Sequence, residues 1–532
     1  MSRRSLTLRR PSVDAEKLNW LRFGRIGERW VVTNEVGDWE LLSEDEYHDL
    51  IAGRVDEDHP RYAVLQAKGF LRDDLDVAGL SRRLRRKRRF LGQGPHLGII
   101  ITTLRCNQHC RYCHASRTEM DRVDTDMSLE TAKQVVDHLM QTPSPYLNIE
   151  FQGGEPVIAW DVLKFIVEYS REKNRYEKKH LEHSLVTNMT YMDEEKAEWL
   201  VRNNVMICTS LDGPAEVHNY NRTWQKGSNA YESVLHWIDW FNRRYVEIGR
   251  DPRLWHVDAL MTTTRKTIDH WKEVIDLYVS LGIRNIHLRP LNPFGFAMST
   301  WKRIGYSAEE YLAFYERCFD YILDLNRQGV EISEGTASVF LMKMLTEDDP
   351  NFVDIRSPVG SGTGQLAYMY DGSIHASDEA RMIAAMGDDL FTLGHVSNTS
   401  FAEATNHPTV KSIAVASLLD SLPMCADCWN APFCGVRPLH NYMQAGDLFA
   451  QRPATPKCKE HMGIAKLLLQ RLDQDEDGSV ERIFRRWTFR RPRDPEEGLN
   501  DEPLDAGPAV GDPGSPPAPS PTQGSARLPV LE

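Results

Sequence analysis

The sequence predicts an α/β protein built on a curled, partly closed parallel sheet, with a small α+β module before it and a cysteine-bearing region after it. Six short apolar segments recur in series with helical stretches between most of them, a pattern that lays strands in parallel and helices across the sheet. The opening stretch, residues 1–90, instead reads as a hairpin with short helices. Of the nine cysteines, three follow the first apolar segment and four gather between Cys425 and Cys458. At 532 residues the chain is too long for one compact core, so two or three domains are expected.

Taken in order, Trp20 to Thr33 alternates as strands do, and the stretch from Glu40 (LLSEDEYHDLIAG) reads as a helix with Ser43 as N-cap and acidic residues in its first turn. A second short helix, Arg61 to Lys68, stops at Gly69, and the whole suggests a winged-helix-like unit over residues 1–90. The expected sheet strands are Leu97 to Thr103, Leu147 to Phe151, His183 to Thr187, Val205 to Ser210, His256 to Met261 and Asn285 to Leu288. Helical stretches between them include Leu129 to Met140, Val162 to Tyr169, Glu194 to Val201 and Ile268 to Leu281. The barrel is expected to occupy residues 91–330 and the cysteine-bearing domain residues 331–470. The Pro/Gly/Ser-rich tail, 485–532, has too little apolar surface to offset ordering entropy and is expected to be disordered.

Composition narrows the function classes. With 41% hydrophobic and 27% charged residues the chain reads as soluble and globular. No window approaches the ~20 apolar residues of a membrane span. The basic N-terminus lacks the apolar core of a secretory signal, so a cytoplasmic protein with reduced cysteines is expected. A net charge of −13 argues against a nucleic-acid binder. The run from Ser81 to Arg89 (SRRLRRKRR) is a local exception, read either as a solvated linker helix or as a docking strip for an acidic partner.

Cys106, Cys110 and Cys113 (CNQHCRYC) can bring three thiolates to one point and leave a fourth position of a bound metal open. Soft thiolates suit zinc or an iron–sulfur cluster. A structural zinc would need a fourth ligand, for which His109 or His114 could serve, whereas a cubane held by three cysteines keeps one iron free for a small molecule. Gly153, Gly154 and Glu155 (FQGGEP) follow the second strand, where glycines admit a close ligand and a carboxylate can meet an ammonium group. Thr187 and Asn188 end the third strand; Ser210 ends the fourth, with Asp212, His218 and Arg222 following. Ligands of parallel sheets bind at these strand ends.

A cysteine loop of this spacing, with an aromatic before the last cysteine and GGE one unit later, resembles the radical S-adenosylmethionine (SAM) superfamily. The resemblance implies a partial (β/α)6 TIM-like radical SAM barrel whose [4Fe–4S] cluster sits on Cys106, Cys110 and Cys113. It places Tyr112 against the adenine of SAM, Gly153, Gly154 and Glu155 at the methionine amino group, Thr187 and Asn188 among the polar groups near the ribose, Ser210 among the cofactor-binding residues, and Arg222 as a candidate for the carboxylate. An electron donor such as flavodoxin or ferredoxin is implied as well.

Cys425, Cys428, Cys434 and Cys458 could close a zinc site by themselves. They also resemble the SPASM extensions of peptide-modifying radical SAM enzymes, which carry further cysteines for a second auxiliary cluster. Here two of those expected positions hold Ser377 and Pro438. The resemblance therefore implies one complete auxiliary [4Fe–4S] cluster, two clusters in all, and offers Asp378 as a general base. Several stretches, among them ICTSLDGP, LRPLNPFGFA and YMYDGSIHASDEARM, further resemble the B-type maturases of the His-Xaa-Ser system. That implies a ribosomally made precursor peptide as partner, bound in part by residues 1–90. A maturase of a folded protein, as in sulfatase activation, and a zinc-stabilised binding scaffold are the alternatives. Cys208 and Cys318 are expected to be buried small hydrophobes.

Overall fold

A computed structural model describes residues 13–224 and 229–489. Expectations for the tail beyond 489 lie outside the described residues.

The N-terminal module opens with three antiparallel strands, β1 (Arg22–Ile26), β2 (Arg29–Thr33) and β3 (Trp39–Leu42), in the order β1-β2-β3. The helix α1 (Glu44–Ile51) follows, and Ser43 and Glu46 close a reciprocal capping box at its start. The sequence reading ran this helix from Glu40; Trp39–Leu42 is a strand instead, paired in register with Trp30–Thr33. Helices α2 (Tyr62–Ala67) and α3 (Val77–Lys87) complete the module around a core that includes Val32, Leu42, Leu50, Leu65 and Phe70. Helix α3 carries the basic run, and much of its charge is spent within the chain. Arg83 pairs with Asp38, Arg86 with Glu347 and Asp348, and Arg88 with Asp420. These pairs tie the module to two distant parts of the molecule.

The main sheet is built from β4 (Leu97–Ile101), α4 (Leu129–Leu139), β5 (Tyr146–Gln152), α5 (Trp160–Glu177), β6 (His180–Thr187), α6 (Glu194–Arg202), β7 (Val205–Ser210), α7 (Ala230–Glu247) and β8 (Asp258–Leu260). Strands β4 to β8 are all parallel neighbours in sequence order. A parallel bridge from Leu260 to His287 carries the curl on to β9 (Asn285–Ile286) after α8 (Trp271–Ser280), and β9 pairs in parallel with β10 (Ser333–Glu334), which follows α9 (Ala308–Arg327). This is the curled parallel arrangement the alternating pattern predicts. Residues of β5 and β6 alternate cleanly between a buried outer face and a lumen face, as the two-residue strand period requires.

Beyond α10 (Gly335–Leu345), the strand β11 (Gln365–Tyr368) runs parallel to β4 on its other side. Strands β12 (Ser373–His375) and, after α11 (Asp378–Ala385), β13 (Thr392–His395) extend the same sheet antiparallel to eight strands. Helix α12 (Pro456–Asp473) packs on α9 and α10. Helix α13 (Ser479–Trp487) follows, with Phe484 and Trp487 against Phe319. Arg485 to Trp487, expected in the disordered tail, therefore close a packed helix whose aromatic face lies on the barrel. No helix among the described residues is long and apolar enough to cross a membrane.

Candidate functional site

The cysteine loop leaves the end of β4 and is held open by backbone bonds rather than by a helix. Cys106 N donates to Thr118 O at 3.2 Å, and Arg105 ties the loop to Asp126 with Nε–Oδ1 at 2.8 Å. Gln108–Cys110 then forms a short antiparallel ladder with Arg222–Trp224, which sets Cys110 opposite Arg222. The three thiols share one neighbourhood, each interacting electrostatically with the other two. Burial is the main reason the Cys106 thiol is held well above its ordinary range and that of Cys110 is pushed up to about 12.

Around the loop, the other predicted residues converge. Gly153, at φ +142°, and Gly154 pass so close beneath the loop that a Cβ would stand 2.3 Å from Thr103 O and 2.2 Å from Arg105 O respectively. Gly154 N and Glu155 N donate to those same two carbonyls. Glu155, 1% exposed, accepts from Thr187 Oγ1 at 2.7 Å and from Asn188 N at 2.7 Å, and burial pushes its carboxyl up to about 7. Asn188 Nδ2 lies 3.8 Å from Cys106 Sγ. Arg222 is buried and paired with Asp212, which also accepts from Tyr112 OH at 2.5 Å. Burial alone would lower the guanidinium pKa, but Asp212, Tyr112 and Cys110 together hold it above its ordinary value.

These groups rim a cavity of about 830 Å3 that runs from the cysteine loop down the barrel lumen, past Ser210 to Trp487. Such a volume lies within the ~300–1,000 Å3 of small-molecule sites. Cys208, expected to be a buried apolar filler, lines this cavity, whereas Cys318 is fully buried as expected. Asp378, at the start of α11, reaches the cavity wall and is paired with Arg381, Oδ1 to Nη2 at 2.6 Å. Its neighbour Glu379 lines the same wall, and burial followed by Asp354 pushes its carboxyl upward. Sequence reasoning missed Glu379, Glu150 and Arg289. Arg289 and Glu379 fall within the quoted stretches LRPLNPFGFA and YMYDGSIHASDEARM but were given no role there, and only the lumen-facing alternation of β5 pointed to Glu150.

The second group also converges. Cys425, Cys428, Cys434 and Cys458 interact electrostatically in every pairing, although Cys458 is brought from a different helix. A turn with Cys428 N on Cys425 O and Cys434 N on Asn430 O shapes the first three, and Thr455 caps α12 by accepting from Cys458 N. The positions where further ligands were expected do other work. Ser377 is the N-cap of α11, and Pro438 opens the helix Pro438–Ala445. Among the described residues no group of three or more His, Cys, Asp or Glu is disposed for a single metal ion, so the mutual electrostatics of the thiols is what marks the two sites.

Comparison with known proteins agrees with this geometry. Residues 100–303 match the radical SAM superfamily. The chain is 24% identical over 334 residues, 60% of this chain and 83% of the relative, to a cysteine-type anaerobic sulfatase-maturating enzyme of Clostridium perfringens. It is 25% identical over 197 residues, 36% of this chain and 46% of the relative, to a serine-type anaerobic sulfatase-maturating enzyme of Klebsiella aerogenes. The solved structure of anSMEcpe with bound AdoMet and Cp18Cys peptide shares the fold at TM-score 0.59 and 20% identity, over 74% of this chain and 100% of that one. The family implies SAM and a [4Fe–4S] cluster. The residues present fit both: three thiols, of which Cys106 is buried, share one neighbourhood, and beside them two glycines tolerate no Cβ at the rim of an open cavity. Residues 100–303 thus match the radical SAM superfamily, and the chain is similar to the anaerobic sulfatase-maturating enzymes.

Proposed function

We propose that this radical SAM enzyme matures a ribosomally made peptide. The observation that carries the reading is the single continuous cavity that joins the three-cysteine loop to the wall made by α11. When bound, the cluster and SAM together supply a 5′-deoxyadenosyl radical able to take a hydrogen atom from a substrate residue. The chain's own residues bind, orient and shield. Gly153 and Gly154 let the chain pass close beneath the cysteine loop and so set the cavity rim, Glu155 offers a carboxylate to the ligand's ammonium, Thr187 and Asn188 are polar partners for the ribose, and Ser210 is a further cofactor-binding group in the cavity wall. Arg222 stands on the Tyr112 side as the cation for the carboxylate. Asp378 is the tentative base for a proton leaving the substrate residue, with Glu379 beside it in the same wall. Cys425, Cys428, Cys434 and Cys458 hold one auxiliary [4Fe–4S] cluster, whose complete set of thiolates suits electron transfer rather than substrate ligation.

The N-terminal module is proposed to hold the precursor by strand addition. The edge of β1 is met by Cys428 in a bridge to Phe23, which leaves β3 as the edge for an added strand. A His-Xaa-Ser precursor is the expected substrate. Activation of a folded sulfatase is the second reading, favoured by the 24% identity to the sulfatase-maturating enzyme.

Anaerobic reconstitution of the full chain with each class of substrate separates them by mass spectrometry. A loss of two hydrogens from the precursor, with a sulfatase-derived peptide unchanged, supports the first reading. The opposite pattern overturns it.

A further inference from the structure

Arg452 is a buried cation beside the four-thiol site that no ion pair among the described residues uses. It stands in the 3-10 turn Arg452–Ala454 just before α12, six residues ahead of Cys458, and is 5% exposed. Two edges of its guanidinium are fixed by backbone: Nε donates to Phe449 O at 2.9 Å and Nη2 to Ala416 O. Nη1 is buried with no acceptor of its own. The guanidinium is an electrostatic neighbour of the Cys425, Cys434 and Cys458 thiols. A buried donor left without an acceptor is costly, so an arginine so placed calls for a partner among the thiols. Arginine suits this place better than lysine, being always charged, planar and more weakly hydrated.

A second cation approaches from another part of the chain. Arg22 of β1 is 4% exposed, donates from Nε to Ala426 O at 2.6 Å and pairs with Asp420 at 3.4 Å. Its Nη1 is also buried without an acceptor, and Cys428 is among its electrostatic partners. His461 completes the surroundings, with Nδ1 3.6 Å from Cys434 Sγ. Donors and cations thus approach the four thiols, two of which, Cys425 and Cys434, also pack on Leu419, Leu422 and Ala431.

We propose that Arg452 is a positioning residue that raises the reduction potential of the auxiliary cluster by directing its free Nη1 donor and its charge at the Cys425 side of the four-thiolate site. The proposal rests on the reading that these cysteines hold a cluster. Its physical basis is simple: a reduced cluster carries one more negative charge, and buried donors and cations favour that state. The consequence is a closed cluster ready to accept an electron, with its potential set largely by one side chain.

The test uses the full chain carrying Cys106→Ala, Cys110→Ala and Cys113→Ala, which isolates the auxiliary cluster, reconstituted anaerobically with iron and sulfide. Iron is counted, and the cluster is titrated against potential by electron paramagnetic resonance. The parent is expected to hold about four irons. Arg452→Met should keep them and titrate at least tenfold weaker in its reduction equilibrium, about 59 mV more negative, with Arg452→Lys between the two. Where the Met variant loses iron, a Lys variant that keeps iron at a lowered potential supports the proposal. A full complement of iron at unchanged potential overturns it, as does loss of iron from both variants, which would make Arg452 a folding residue. Absence of iron from the parent instead overturns the cluster reading, so the two failures are distinct.

Discussion

Asp212 and Arg222 form a buried ion pair, Oδ2 to Nε at 3.1 Å, directly beside the three-cysteine loop, and the same carboxylate accepts from Tyr112. The pair couples the end of β7 to the loop through the Gln108–Cys110 ladder. Removing one member of a buried pair leaves an uncompensated charge and costs about 3–5 kcal/mol. Asp212→Asn should therefore lower the stability of the metal-free chain by that order in denaturant melts, while Asp212→Asn with Arg222→Met recovers part of it. Equal stability of the single variant and the parent would show that the pair does not hold the loop.

At Gly154, as at Gly153, backbone and not a side chain occupies the place of the missing Cβ. Gly154→Ala must push the Arg105 carbonyl aside and displace the loop. A displacement near 1 Å at a reacting centre costs about 100-fold in rate. SAM cleavage by the reconstituted variant should fall by about that factor, whereas Gly92→Ala, which has open space around it and no left-handed backbone, should cleave SAM at the parent rate.

Iron content distinguishes the two cysteine groups. The parent should hold about eight irons, and the Cys106, Cys110, Cys113 triple alanine variant about four, with SAM cleavage abolished. Cleavage that survives the triple substitution would remove those residues from the chemistry.

Acid stability reports on the N-terminal module. Burial alone would raise Glu46, but bonds from Arg61 and the Ser43 capping box hold its carboxyl down to about 2, from an ordinary value of 4.5. A depressed carboxylate stabilises the fold above its unfolded pKa, and that contribution is lost as pH falls from 4.5 toward 2. Glu46→Gln should cost about 1 kcal/mol at pH 7, the usual worth of such a cap. The difference between variant and parent should shrink on acidification, followed by circular dichroism. A difference that grows on acidification would reverse the assignment.

Much of the site could be read from local patterns. The cysteine spacing, the GGE turn and the SLDGP segment each lie at a strand end, where a parallel sheet exposes its ligand-binding groups. The strand β3 was hidden because Trp39–Leu42 leads straight into a strong cap and its partner β2 is what makes it a strand. Helix α13 was hidden by composition. Arg485 and Arg486 read as the start of a basic tail, while Phe484 and Trp487 are buried against Phe319. Arg452 and Glu379 could not be found in the sequence, since each draws its meaning from groups on other elements. The basic run of α3 showed its charge but not its partners, which lie at Asp38, Glu347, Asp348 and Asp420.

The pairing of β11 with β4 sets the timetable of folding. The first barrel strand is flanked on one side by β5, which emerges soon after it, and on the other by Gln365–Tyr368, which a ribosome supplies only after most of the barrel is made. Until then β4 presents an unpaired apolar edge, Leu97 to Ile101, to solvent and to other nascent chains. The barrel is thus completed from its C-terminal side, and a chain cut before Gln365 would leave its most apolar strand as an aggregation-prone edge.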